Sequence, residues 1–333
     1  MKEDLNIREI IDNIYMVGIK LPNNPLKEIN IFIIKGEDRS MIVDTGFNRP
    51  ETIEAFEEIF DRLGLTYEST DLFLTHLHSD HTGLASYFDK KGMDVYASKI
   101  DAEYLNKSIF KEDPVWQETV RHSFLQGLEE DDLDLEDHPG YKFRPSDHVD
   151  YKHVAEGDRF SLAGYNLEVI DLKGHTPGLV GLYDKDKKVL FCADHILKKI
   201  TPNITYWGDE FGDSLGQYFA NLDKAYELEV DHLFSSHREL IDDHRERIDE
   251  IRNHHAIRLD EARKALRKNG PSTVRSVTKQ MHWDISAKSW DDFPKSQKWF
   301  AAGEAHAHLH HLYSIGEAQI EEKDGVLYFS LKD

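Results

Sequence analysis

The chain has 333 residues, 39% of them hydrophobic and 17 of them Phe, enough for a packed core larger than one average domain. Its net charge of −22 argues against general binding to nucleic acid or anionic membranes, and no run approaches the ~18 apolar residues of a transmembrane helix. The single cysteine, Cys192, cannot form an intramolecular disulfide, and no apolar segment follows Met1-Lys2-Glu3-Asp4, so a cytoplasmic location is expected.

Residues 7–47 read as short strands: Ile14-Tyr15-Met16-Val17, Ile31-Phe32-Ile33-Ile34 and Met41-Ile42-Val43, the last delivering Asp44-Thr45-Gly46. From Pro50 to Leu63, Ile53, Phe56, Ile59, Phe60 and Leu63 form an apolar helical face stopped by Gly64. Leu72-Phe73-Leu74 is a buried strand, and it ends in Thr75-His76-Leu77-His78-Ser79-Asp80-His81-Thr82-Gly83 before Leu84, Ala85 and Tyr87 start a helix. The histidines therefore sit on a strand-to-helix loop. Asp94 to Ala97 suggests another strand, and residues 101–128 are expected to be largely helical. The acidic run Glu129 to Asp137 is expected to be a solvated loop. Residues 101–137 thus look inserted between strands, either capping an active site or stabilising the fold without touching substrate.

Tyr165 to Ile170 is a strand leading into Gly174-His175-Thr176-Pro177-Gly178. A hairpin, Leu179 to Tyr183 and Val189 to Ala193, ends at Asp194-His195, with Cys192 expected as a small buried residue. A helix near 215–228 and the strand Leu233-Phe234 then present Ser235-Ser236-His237-Arg238. Beyond Asp242 one long helix leaves the core, Asn269-Gly270-Pro271 breaks it, and Ser272 can cap a short helix. A further helix over 296–313 and a hairpin around Lys323-Asp324-Gly325 complete a winged-helix-like pattern. The expected organisation is a catalytic domain over 1–245 and a linking helix plus small winged-helix-like domain over 246–333. The presumed recognition helix offers only Lys298 as a basic residue, which argues against a nucleic-acid partner and for a homodimer contact or a lid. His306, His308, His310 and His311 are expected on a packed or solvated face, and His254-His255 either in a structural role or approaching the site from above.

Each polar cluster closes an apolar run, where the loops of a layered α/β protein gather on one edge. Imidazoles and carboxylates from His76, His78, Asp80, His81, His175, Asp194 and His237 suit Zn²⁺, with Fe or Mn also fitting this N/O set. A tight turn in the first loop would let His76 and His78 converge on one point while Asp80 and His81 face another. That suits two metals about 3.5–4 Å apart.

In this order the motifs, with Asp44 before them, resemble the metallo-β-lactamase superfamily over about residues 10–240. The resemblance implies a four-layer αββα sandwich with His76, His78 and His175 on a first divalent ion and Asp80, His81 and His237 on a second. Asp194 would bridge the two, and Asp44 would stand behind, holding a histidine tautomer or the bridging water. Asp44, Asp80 and Asp194 are then the catalytic carboxylates. Two cations sharing one water make hydroxide available near neutrality for attack on a carbonyl or phosphoryl centre. The family includes glyoxalase II-like thioesterases and lactonases, so a small ester, thioester or lactone is the expected substrate.

A lactamase-like core with a winged-helix-like tail is also similar to the β-lactamase-like protein 2 branch, as is Ile200-Thr201-Pro202-Asn203-Ile204. That branch implies single-strand endoribonuclease activity as an alternative, and a ligand-sensing nucleic-acid-binding regulator is a third. A nuclease needs an open basic groove, whereas this insertion ends in Glu129-Glu130-Asp131-Asp132, which favours a small-molecule substrate. Ser236 departs from the Gly common before the last histidine, and a different backbone approach is expected there. Arg238 could meet an anionic group or pair with Glu239 or Asp242. Tyr206 and Trp207 could line the pocket, donate to an oxyanion or simply pack.

Overall fold

The computed structural model describes residues 5–332. Its first sheet contains β1 (Arg8–Ile11), β2 (Ile14–Lys20), β3 (Glu28–Ile34), β4 (Ser40–Val43), β5 (Thr70–Phe73), β6 (Val95–Ser98) and β7 (Tyr151–Val154), in that spatial order. The pairs up to β3–β4 are antiparallel, and β4 through β7 run parallel. α1 (Pro50–Leu63) makes the β4–β5 crossover; Pro50 sits in its first turn, where a missing N–H costs nothing, and Gly64 ends it at φ +63°. α2 (Ser79–Thr82) and α3 (Ala85–Lys90) join β5 to β6.

Between β6 and β7 lie α4 (Lys99–Asn106), α5 (Pro114–Leu125), two 3-10 turns and α6 (Pro139–Lys142). The helical run expected over 101–128 is broken at 107–113, because Pro114 can only begin a helix. The acidic run is not wholly solvated either. Asp131 is buried and accepts from Trp290 Nε1 (2.7 Å), Lys298 Nζ (2.9 Å) and Arg275 Nε (2.7 Å), which tie the insertion to the C-terminal segment.

The second sheet holds β8 (Arg159–Leu162), β9 (Tyr165–Asp171), β10 (Val180–Asp184), β11 (Val189–Ala193) and β12 (His232–Ser235), ordered β12-β11-β10-β9-β8. α7 (Ser214–Glu227) connects β11 to β12, which pair in parallel. After β12 come α8 (His244–Asn269), β13 (Ser272–Thr273), α9 (Val274–Thr278), α10 (Lys295–Ser314), β14 (Ala318–Lys323) and β15 (Val326–Leu331). Thr273, rather than Ser272, caps α9, and Ser272 pairs with Phe329 in the three-stranded sheet β13-β15-β14.

Strand alternation assigns the layers. Phe32 and Ile34 of β3 pack between the sheets against Phe191 and Phe234, while Ile31 and Ile33 face α1 and α3 through Phe56, Ile59 and Phe88. The outer face of the second sheet packs on α7, α8 and α10 in one core that runs from Ile170 and Leu190 to Leu309 and Phe329. The result is a four-layer αββα arrangement. α10 is buried nearly all round, so His306, His308 and His310 lie on a packed face and Lys298 faces inward. No helix among the described residues is long and apolar enough to cross a membrane. Cys192 is buried, and burial pushes its thiol up to about 12.

Candidate metal centre

The parallel pairs β4–β5 and β11–β12 end on one edge, and their final turns carry the polar clusters. Asp44 closes β4 at φ +66°, Ala193 precedes Asp194 at φ +51°, and Arg238 follows His237 at φ +68°. Left-handed non-glycine residues are uncommon and costly, and here they flank the expected ligands. A register shift between Phe191 and Ala193 in the β11–β12 ladder re-aims the chain before Asp194. Gly83 lets α2 approach the Asp44 loop, since a Cβ there would lie 2.3 Å from Asn48 N and 2.5 Å from Gly46 O. Thr45 secures the same contact, with its N–H and its Oγ1 both donating to His81 O at 2.9 Å.

All seven expected ligands converge. Their donor atoms form three groups, each within 4.8 Å: His76, His78 and His175; His76, His81 and Asp194; and Asp80, His81 and His237. His76 Nε2 lies 3.1 Å from His78 Nδ1. Asp194 stands between the outer groups: its Oδ2 is 3.6 Å from both His175 Nε2 and His81 Nε2, and its Oδ1 is 3.5 Å from His237 Nε2. Asp80 Oδ2 is 3.4 Å from His237 Nε2.

For three of the rings the far side fixes the tautomer. His175 Nδ1 donates to Asn203 O (2.8 Å), His237 Nδ1 to Glu28 O (2.9 Å) and His81 Nδ1 to Asp44 Oδ2 (2.8 Å). Asp44 also accepts from Thr75 N at 2.9 Å and from Thr75 Oγ1. The Nε2 atoms of His81, His175 and His237 and Oδ1 of Asp194 are then left buried with no hydrogen-bond partner. Four such atoms within one buried cluster would be costly unless cations take their lone pairs, so the residues present fit divalent metal.

Charge is divided across the site. Burial lowers His76, His175 and His78, the last to about 3, so these rings stay neutral and ready to coordinate. Burial also disfavours charge on His81 and His237, but Asp44 and Asp194 on His81, and Asp194 and Asp80 on His237, overcome it. His81 is held well above its usual range and His237 at about 10. Burial would raise Asp80 and Asp194, yet the same two histidines pull Asp80 down to about 2 and hold Asp194 well below the usual carboxylate range. A divalent ion at the Asp80 side therefore competes with protons.

A cavity of about 1330 Å³ opens onto His78, Asp80, His175 and Asp194. Its walls include Phe47, Tyr104 from the insertion, Trp207, and Trp283, Trp299 and Phe300 from the C-terminal segment. Tyr206 and Trp207 line it, but neither offers a free donor to an oxyanion: Tyr206 OH donates to Asp209 (2.7 Å) and Trp207 Nε1 to His175 O (3.1 Å). Arg238 pairs with neither Glu239 nor Asp242, which take Lys199 and Lys198; its guanidinium donates to Pro25 O. Ser236 has no positive φ, and its backbone bonds to Ala193 O and Asn30 N. The serine is thus accommodated without strain.

One residue that shapes the site escaped sequence reasoning. Asp101 at the start of α4 accepts from Leu77 N (2.9 Å) and Thr176 Oγ1 (3.1 Å), joining the first histidine loop to the His175 loop. Burial pushes its carboxyl up to about 7.

The family model described as Metallo-beta-lactamase superfamily matches residues 25–237. The Caenorhabditis elegans "Beta-lactamase-like protein 2 homolog" is 24% identical over 269 residues, covering 79% of this chain and 75% of that one. The Bos taurus "Acyl-coenzyme A thioesterase MBLAC2" is 26% identical over 174 residues, 50% of this chain, and the match spans only 57% of that relative's length. Among solved structures, a metallo-beta-lactamase family protein from Thermus thermophilus superposes with a TM-score of 0.81 at 23% identity, over 97% of this chain and 100% of that one. With a family match across most of both sheets, and with clustered histidines and carboxylates that fit divalent metal, the chain belongs to the metallo-beta-lactamase superfamily of metal-dependent hydrolases.

Proposed function

We propose that the chain hydrolyses a small ester, thioester or lactone, with thioesters the leading class, using two divalent ions, most directly Zn²⁺. The observation that carries this reading is the aromatic-walled cavity whose floor is the ligand cluster. Apolar atoms make up most of its exposed wall, between polar and charged side chains such as Glu118 and Arg247, which suits an acyl chain carrying a polar group. The relative whose name specifies a thioesterase supports the same class. The net charge of −22 and the burial of Lys298 against Asp131 weigh against an RNA strand as substrate.

In this scheme His76, His78 and His175 would hold one ion, and Asp80, His81 and His237 the other. Asp194, whose oxygens lie beside His175 and His237, would be shared between them. Bound divalent ions supply Lewis acidity and bring the pKa of a water toward neutrality. Asp44 keeps the proton of His81 on Nδ1, so that Nε2 faces the centre. The walls seat the acyl group and exclude bulk water.

The test is metal analysis of the purified protein together with hydrolysis assays on thioesters, esters, lactones, a bis-phosphodiester and single-stranded RNA. Saturable thioester or ester hydrolysis that disappears on chelation is expected. RNA cleavage with every acyl substrate left intact would overturn the proposal.

A further inference from the structure

A buried polar cluster lies outside the metal centre, where residues 203–207 run between the His175 loop and the helices α8 and α10. Asn203 receives the His175 Nδ1 proton on its backbone oxygen (2.8 Å). Its side-chain amide donates to two points on α10, Phe300 O (3.1 Å) and Glu304 Oε2 (3.0 Å). Glu304 Oε1 in turn accepts from Arg258 Nε of α8 (3.3 Å), with His254 Nε2 at 3.9 Å.

α10 comes this close because residue 303 is glycine: a Cβ there would sit 2.2 Å from Thr205 Oγ1. Gly303 O also accepts from Tyr206 N (3.3 Å), and Trp207 Nε1 donates to His175 O (3.1 Å). His175 is therefore held at its ring and at its backbone by one segment, and that segment is anchored on α10. Glu304 and Arg258 are both buried, so the anchor is a desolvated ion pair that loses much if either partner goes. Burial disfavours the Glu304 charge, but His254 and Arg258 keep its pKa at about 2.

We propose that Glu304 is a positioning residue for His175, acting through Asn203, so that the C-terminal helix sets the aim of one metal-binding imidazole. This rests on reading His175 as a metal ligand. The acceptor for His175 is a backbone carbonyl, so its position depends on what pins residue 203, and Glu304 is the charged part of that pin. Partners one bond behind a ligand commonly change metal affinity by about 10–100-fold when removed.

The experiment compares full-length His175→Ala, Asn203→Ala, Glu304→Ala, Glu304→Gln and the exposed control Glu317→Gln. The readouts are Zn²⁺ affinity by competition with a chromophoric chelator and the visible spectrum of the Co²⁺-loaded protein. Asn203→Ala and Glu304→Ala both keep the carbonyl that faces His175, so each is expected to weaken one equivalent of metal by about 3–10-fold, less than loss of a direct partner. The Asn203→Ala/Glu304→Ala double variant should bind no more weakly than the weaker single, the Co²⁺ bands should shift, and Glu304→Gln, whose one amide oxygen cannot serve both Asn203 and Arg258, should fall between wild type and Glu304→Ala. Glu317→Gln should leave every readout unchanged. If His175→Ala loses an equivalent of metal while Asn203→Ala and Glu304→Ala keep wild-type affinity and spectrum, the positioning role is wrong. If His175→Ala keeps all its metal, the ligand assignment itself fails. Should Glu304→Ala not fold, Asn203→Ala alone decides between these outcomes.

Discussion

Replacing Asp131 by Ala should be far more damaging than its place in an acidic run suggests. Its side chain is 1% exposed and that of Lys298 9%, so the ammonium would be left desolvated without its carboxylate. The indole N–H of Trp290 would lose its acceptor, while Arg275 would keep a contact with Glu130 at 3.0 Å. A charge-assisted hydrogen bond contributes about 1.5–3 kcal/mol, and breaking a buried ion pair costs about 3–5 kcal/mol. Since Arg275 is partly compensated, a loss of about 3–4 kcal/mol is expected for Asp131→Ala. Equilibrium urea unfolding followed by far-UV circular dichroism measures it, with Asp132→Asn, which tolerates the φ of +48° there, as the exposed control expected within ~0.5 kcal/mol of wild type. Adding Lys298→Met should recover part of the loss, giving a coupling above about 1 kcal/mol. An Asp131→Ala protein as stable as Asp132→Asn would refute this account of how the insertion is tied down.

Asp101→Asn tests the raised carboxyl. The folded chain holds a proton on Asp101 up to about pH 7, whereas the unfolded chain releases it near the ordinary aspartate value of 3.8. Stability from this group is therefore full below that value and is lost as pH rises through about 7, at up to ~1.4 kcal/mol per unit. In chelated protein, Asp101→Asn should match wild type near pH 4 and exceed it by about 2–4 kcal/mol at pH 8; parallel stability–pH curves would rule this out. Asp194→Ala should strip metal from both groups and abolish hydrolysis, and full metal content by elemental analysis would contradict its central position. Gly83→Ala should cost about 1–3 kcal/mol, because Asn48 N and Gly46 O are backbone atoms that cannot swing aside. Thermal unfolding and chelator competition that both leave the variant like wild type would argue against that contact. Metal affinity should also fall as pH drops, since His81 and His237 bind protons more readily there; a pH-independent affinity would count against their coordination.

Much of the site was legible because short apolar runs and the polar clusters after them mark strand ends, which a parallel sheet gathers on one edge. β7 and β8 were missed since their burial is weak and edge-like, with Lys152 and His153 exposed in one and Arg159 and Ser161 in the other. Asp131 was misread because acidic neighbours imply solvent, and its partners Lys298 and Trp290 lie more than 150 positions away. Asn203 was visible only as part of the stretch Ile200 to Ile204 and without a role, because it acts on His175 through a main-chain oxygen that every residue type possesses. The same limit applies to α10, where burial on every side erases the amphipathic stripe by which a helix declares its partner.

The shared interior that joins Ile170 and Leu190 to Phe329 has a consequence for how the chain is made. During synthesis the outer face of the second sheet is covered only in part, by α7, until residues near 329 leave the ribosome. The metal-binding edge is thus complete in sequence some 90 residues before its supports arrive. Early release or truncation of the nascent chain would yield sticky, inactive material rather than a smaller working enzyme.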